Sequence, residues 1–389
     1  MGRGRGALLV VMLAFCVHAP AASAVSIDVV GPDEVVYDYA TEHCFPHDQP
    51  DGSARAFRDA SGQVQVWLRG FNTRMIGPSL DDMAHDCTRV LVPNLNPDPS
   101  QYDDRNGWMA APYTTDGQTV HALLHMEYHG FRHPGWCPGE PFIKCRYNVA
   151  TYARSTDAGD SYQVQPGTAG LVAALPYRYV PGDGRYGYFS PSNMVERDGW
   201  FYSVLLVSRE YRQQRPGTCV MRTRDPTDPK SWRAWDGDGY DVRFVDPYRE
   251  SAEPIHRHIC EPVSYPQIRD MNRSLTWNTF LNKFVVTGTT NKYDPARDEN
   301  VFGFYFSVSD DLINWTERKL IFEHKTAGTY VCGGPTPRAY PSILDSDSTD
   351  RIFGTTDETA HLYFTELIYE NCINTLTSNM VRVPIRFVP

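Results

Sequence analysis

Basic runs are missing from this chain. Its net charge is −10, with 37 Lys and Arg against 47 Asp and Glu, and there is no Arg-rich stripe. Nucleic acid is therefore excluded as a partner. Apolar runs long enough to cross a bilayer are missing too. Residues 7–17 are apolar but too few, with Arg3 and Arg5 before them and Ala22-Ser23-Ala24 after. That is the layout of a secretory signal. Residues 1–24 are expected to be this signal. Residues 25–389 are expected to form a single exported, soluble domain, extracellular or periplasmic, with no membrane partner. Long amphipathic helical patterns are scarce. Cys-x-x-Cys is absent, which argues against a zinc site, and so is His-Glu-x-x-His, which removes support for metalloprotease chemistry.

What is present is strand-forming. Short β-branched and aromatic runs such as 63–67, 119–127, 200–207, 283–289 and 361–367 alternate with Asp-Gly and related turns. A phrase recurs after such runs. Ser155-Thr156-Asp157-Ala158-Gly159-Asp160-Ser161-Tyr162 is one copy, Ser309-Asp310-Asp311-Leu312-Ile313-Asn314-Trp315 another, and residues 224–232, ending in Trp232, a looser third. Each is a polar turn closed by an aromatic. Five units of similar length follow, at about 35–93, 107–164, 187–235, 264–322 and 340–388, which predicts a five-bladed β-propeller. A pair of β-sandwiches is the alternative. Ala111-Pro112-Tyr113, Ser190-Pro191-Ser192 and Tyr340-Pro341-Ser342 open blades, where a proline costs no ladder donor.

Nine cysteines are present. Cys16 leaves with the signal, and the other eight suit disulfides in an exported chain. Sequence alone does not fix their connectivity. Neighbour pairing (44–87, 137–145, 219–260, 332–372) staples one local unit each time and is the expected arrangement.

These phrases carry a resemblance. The 309–315 turn is similar to the Ser-x-Asp-Leu-x-x-Trp turn of the five-bladed propeller glycoside hydrolases, the superfamily that includes families 32, 43 and 117. Residues 155–162 resemble a sialidase Asp-box. Trp108-Met109-Ala110-Ala111-Pro112 is similar to a blade opening of family 43. The resemblance implies a disulfide-stabilised all-β propeller acting on carbohydrate through carboxylates on successive inner strands. It maps the first-blade aspartate to Asp51, and the general acid to Glu261 in Cys260-Glu261-Pro262.

The residues add their own pattern. His125-Met126-Glu127-Tyr128-His129 is the densest polar cluster. On a strand, His125, Glu127 and His129 share a face. Buried charge needs pairing or use, so Glu127 is expected as acid or base, with the two histidines binding substrate. The same triplet offers a metal three ligands, and a solvated loop face is the third reading. Asp48, Asp51, Arg55, Arg58 and Asp59 form a second cluster, in which Arg55 and Arg58 present planar forks to a carboxylated sugar or form a surface ion-pair network. Glu253, His256, Arg257, His258 and Glu261 form a third, with Arg269 and Asp270 on its rim. Asn193, Tyr340 and Arg338 lie at blade openings facing the centre. Trp108, Trp136 and Tyr128 are candidate stacking platforms, or core residues.

Together these predict a secreted glycoside hydrolase-like enzyme cleaving a poly- or oligosaccharide. Asp51, Glu127 and Glu261 would be catalytic; Arg58, His125, His129, Asn193, His258 and Tyr340 would bind substrate. Two other classes stay open: a polysaccharide lyase acting on a uronate-containing glycan, and a non-catalytic carbohydrate-binding propeller. No catalytic metal or cofactor is expected, although the axial channel leaves room for a structural Ca2+. A monomer is expected.

Overall fold

The computed structural model describes residues 1–2 and 25–389, so the expected signal segment lies outside the described residues from residue 3 to residue 24. The described residues form five sheets that follow one another along the chain as the blades of a propeller. Blade 1 holds Ala56–Arg58, Val64–Leu68, Thr73–Ser79 and Asp82–Asp86. Blade 2 holds Arg105–Tyr113, Val120–His129 and Arg146–Ser155, edged by three short strands that include Tyr186–Gly187. Blade 3 starts with Val195–Arg197, Trp200–Val207 and Gly217–Thr223, and ends on Arg233–Ala234 and Val242–Arg243. Blade 4 holds Ser274–Asn278, Lys283–Asp294, Glu299–Ser309 and Lys319–Glu323. Blade 5 holds Arg338–Leu344, Thr359–Glu370 and Ile373–Val388. Its outer edge is completed by Ser26–Val29, antiparallel to the last strand. Residues 26–29 thus close the ring.

Because every blade is covered on both faces, central strands read as continuous apolar runs rather than alternating ones. All five residues of Val64–Leu68 are buried. The core is a set of slabs between blades. One packs Val195, Val204 and Val220 of blade 3 against Leu275, Trp277 and Val286 of blade 4. The next packs Val285 and Phe304 of blade 4 against Ile343 and Leu362 of blade 5. Between blades 2 and 3 the slab is rich in tyrosine, and several hydroxyls find buried partners there: Tyr102 donates to Asp246 at 2.7 Å and Tyr188 to Gln214 at 2.9 Å. Much of the chain's aromatic surplus is therefore packing. Tyr128 belongs to this slab, donating to the Pro97 carbonyl at 2.7 Å.

The recurring phrases end the third strand of blades 2, 3 and 4, all at one end of the propeller. Asp157 Oδ1 accepts from Ser155 Oγ (2.6 Å) and Ser161 N (3.0 Å). Asp311 Oδ1 accepts from Ser309 Oγ (3.0 Å), Ile313 N (2.9 Å) and Asn314 N (2.7 Å). The closing aromatics Tyr162, Trp232 and Trp315 are buried. Four disulfides join Cys44–Cys87, Cys137–Cys145, Cys219–Cys260 and Cys332–Cys372, each within or beside one blade. No helix among the described residues is long and apolar enough to cross a membrane.

Arg55 crosses the middle of the ring. It donates to the carbonyls of Ala110 (2.6 Å), Ala54 (2.9 Å) and Arg273 (2.5 Å) and to Ser342 Oγ (3.0 Å). These groups come from the inner parts of blades 1, 2, 4 and 5. Calcium wants just such oxygens. Here a fixed positive charge lies among them, so the residues at this depth do not fit a Ca2+ ion.

Candidate active site

The innermost strands all begin at one face of the propeller, and their leading residues surround the mouth of the axis. Asp51 stands there, just ahead of Ala56–Arg58. Its Oδ2 accepts from Trp108 Nε1 of blade 2 at 3.1 Å, and its Oδ1 from Tyr340 OH of blade 5 at 3.2 Å. Tyr340 is aimed by its backbone. Its φ is +56°, rare for a residue with a side chain, and the pairing of Arg338–Leu344 slips between Ala339 and Ser342. An irregularity of this kind re-aims a side chain. The nearby Asp51 charge, and then burial, push the Tyr340 phenol up, so its proton stays on.

Arg69 follows Val64–Leu68 and returns to the same face. Gly52 makes room for it, since a Cβ there would collide with the Arg69 guanidinium. Arg69 is 2% exposed. Burial, with help from the Arg273 charge, pulls it down to about 10 against the opposing pull of Asp51 and Tyr340. Arg273 precedes Ser274–Asn278, and its guanidinium lies over the Tyr340 ring, 5.1 Å from the centroid. Burial lowers it as well. A cavity of about 290 Å³ opens beside it, lined by Asp270, Arg273, Thr289, Arg338 and Tyr340. Two carboxylates, Asp51 and Asp270, therefore flank Arg273.

The blade 2 triplet shares one face, as strand periodicity requires. His129 Nε2 donates to Glu127 Oε2 at 2.8 Å, while Arg185 and Arg146 approach Glu127 at 3.2 and 3.5 Å. Burial alone would raise the Glu127 carboxyl. The His129 hydrogen bond and the charges of His125, Arg185 and Arg146 outweigh it and hold the group near 2. His125 is pulled down to about 4, chiefly by burial. Asn148 Nδ2 donates to the Tyr186 carbonyl at 3.1 Å, which turns its Oδ1 towards His125 Nε2 at 2.9 Å. The neutral ring thus carries its proton on Nε2, and Nδ1 accepts from Ser190 Oγ at 3.2 Å. Ser190, like Tyr340, precedes a proline and has positive φ (+33°).

The structure gathers Asp51, His125, Glu127, His129 and Tyr340 in and behind the mouth. The remaining expected site residues stand elsewhere. Glu261 N donates to the Trp235 carbonyl at 2.8 Å and its carboxylate pairs with Arg215, which ties it to the outer part of blade 3. His258 Nδ1 meets the Arg243 carbonyl at 2.7 Å on that blade's last strand. The Glu-Pro phrase sits on chain that crosses the rim between blades 3 and 4, so it never reaches the axis. Arg58 lies at the far end of its inner strand, donating to the Ser348 carbonyl at 3.0 Å with its guanidinium 4.8 Å from the Phe353 centroid. Asn193 spends both ends of its amide on the seam with blade 4, donating to Leu275 O (2.5 Å) and accepting from Leu275 N (3.0 Å). Sequence reasoning missed Arg69, Arg273 and Arg185, which only ring closure brings together. The position of Arg273 directly before an inner strand was the one available signal.

No family model matches the sequence, and no curated protein does. Solved structures with a similar course of chain include an α-L-arabinofuranosidase from Fusarium graminearum, at 10% identity and TM-score 0.42 over 91% of this chain and 97% of that one. A candidate glycoside hydrolase from Bacteroides ovatus aligns at 12% identity and TM-score 0.48 over 91% and 96%. Another, from Parabacteroides distasonis, aligns at 14% identity and TM-score 0.37 over 69% of this chain, which spans 64% of that protein's length.

Proposed function

We propose that the protein is a secreted glycoside hydrolase-like enzyme whose reaction takes place at the mouth of the propeller axis. Glycosidic cleavage needs one carboxyl to protonate the leaving oxygen and a second to attack carbon or activate water. Asp51 takes the second role. Trp108 and Tyr340 fix both its oxygens from two different blades, which points the carboxylate without rotamer search. Asp270, exposed on the cavity wall, takes the first. Glu127 does neither. Its carboxylate is engaged by His129, Arg185 and Arg146. It positions Arg185 and His129 instead. The observation that carries this reading is the wedging of Asp51 between Tyr340 and Trp108 beside a cavity that holds a second carboxylate.

The test is a polysaccharide panel read both for new reducing ends and for the near-ultraviolet absorbance of an unsaturated product. Reducing ends without absorbance, lost in Asp51→Asn and in Asp270→Asn, support hydrolysis. Absorbance marks elimination and replaces it. Activity retained in both variants removes these carboxylates from the mechanism.

A further inference from the structure

Building on that reading of the axial mouth, we propose that Arg69 and Arg273 form a subsite for the carboxylate of an acidic sugar, so that the substrate is a uronate-containing glycan. The argument starts from unspent donors. Arg69 Nε is buried with no hydrogen-bond partner. Among the described residues, neither Arg69 nor Arg273 makes a side-chain hydrogen bond or an ion pair at salt-bridge distance. The nearby Asp51 attracts both charges but stays beyond hydrogen-bond distance of them, its oxygens accepting from Trp108 and Tyr340. Two like charges thus lie near one another, Arg69 buried and Arg273 partly buried, with no protein acceptor at hydrogen-bond distance.

An unpaired buried charge is costly unless something completes it. Arg55 shows what completion looks like in this chain: four donated bonds to protein oxygens. At the mouth a ligand carboxylate would supply the missing acceptors in place of water. Planar guanidinium forks match a carboxylate in pairs of parallel hydrogen bonds. A neutral sugar brings no charge to the site. A sulfate ester shares the single negative charge but is tetrahedral. The cavity beside Arg273 and Tyr340 gives the sugar ring a place next to Arg273, with Arg69 close behind it.

The test is calorimetric titration of the Asp51→Asn protein, which keeps both arginines. The probes are oligogalacturonate, unsulfated chondroitin oligosaccharide and alginate oligosaccharide, each with its methyl ester, and a sulfated galactan oligosaccharide free of uronate. At least one uronate should bind, with affinity falling roughly 10- to 100-fold on esterification, the range of a charge-assisted hydrogen bond. Arg69→Met and Arg273→Met should cause the same loss. Arg69→Lys should lose about tenfold, because charge remains without the fork. Arg215→Met, at the rim of blade 3, should change nothing. Thermal melting of each variant separates misfolding from lost recognition. Equal affinity for acid and ester, binding that survives both Met substitutions, binding of the sulfated probe alone, or no binding by any uronate overturns the proposal. Cleavage of a neutral glycan without uronate binding would leave the hydrolase reading standing and remove this one. Arginine-dependent uronate binding without turnover would do the reverse.

Discussion

Arg55 and Arg69 flank one hairpin of blade 1, and both bury a guanidinium near the propeller axis. One donates four hydrogen bonds to the protein and the other donates none. Arg55 reaches three carbonyls and a hydroxyl from four blades. Arg69 faces Asp51, Arg273 and Tyr340 with its Nε unpartnered. The difference teaches how to read buried charge. Where the chain uses a charge to hold itself together, protein oxygens take most of its donors. The open donors of Arg69 at the axial mouth are what the proposed carboxylate subsite rests on.

Substitutions can break that contrast. The largest effect is expected at the mouth itself. Asp51→Asn should reduce kcat by about 1000-fold, about 4 kcal/mol of barrier, while denaturant unfolding stays unchanged. A matching loss of stability would make Asp51 a structural residue. Next is Arg55→Met, which removes four hydrogen bonds at the centre of the ring and should cost on the order of 3 kcal/mol in denaturant unfolding. Arg69→Met should cost nothing or stabilise, because it removes a buried unpaired charge next to Arg273. If the two variants unfold alike, the contrast collapses. Tyr340→Phe should lower kcat about tenfold, the worth of one hydrogen bond to a charged group, and leave stability nearly untouched.

The last test is a pH dependence. His125 is held near 4 against an ordinary value of 6.5. Between those values the unfolded chain takes up a proton that the folded chain refuses. The stability present above 6.5 is therefore lost as pH falls towards 4. Glu127, held near 2 against 4.5, extends the loss from 4.5 downwards with the same sign. Melting curves should show both stretches. His125→Asn should flatten the upper one and Glu127→Gln the lower one. A curve unaltered by His125→Asn would show that the ring titrates freely in the folded protein.

Legibility followed the range of the interactions. The turns at 155–162 and 309–315 could be read because their hydrogen bonds are made within a few residues, by Ser155 with Asp157 and by Ser309 with Asp311. The cysteine partners are also local, at most 43 residues apart. From those, five blades follow. Strand alternation also placed His125, Glu127 and His129 on one face. What it could not show is that Arg146 and Arg185 lie against Glu127, on which the proposal that Glu127 positions rather than reacts depends. Glu261 was misplaced for a similar reason. A Glu-Pro phrase says nothing about whether its loop runs over the axis or the rim. Arg69 and Arg273 come from blades 1 and 4, and no local pattern links them.

The outermost strand of blade 5 is Ser26–Val29, paired with the last strand of the chain, Ser26 opposite Val388. A nascent polypeptide cannot make this pairing until residues 385–388 have been synthesised. Without residues 26–29 the last blade offers a bare hydrogen-bonding edge to any neighbouring chain. Removing residues 26–29 should therefore show first in expression yield, as aggregated protein, before any change in catalysis.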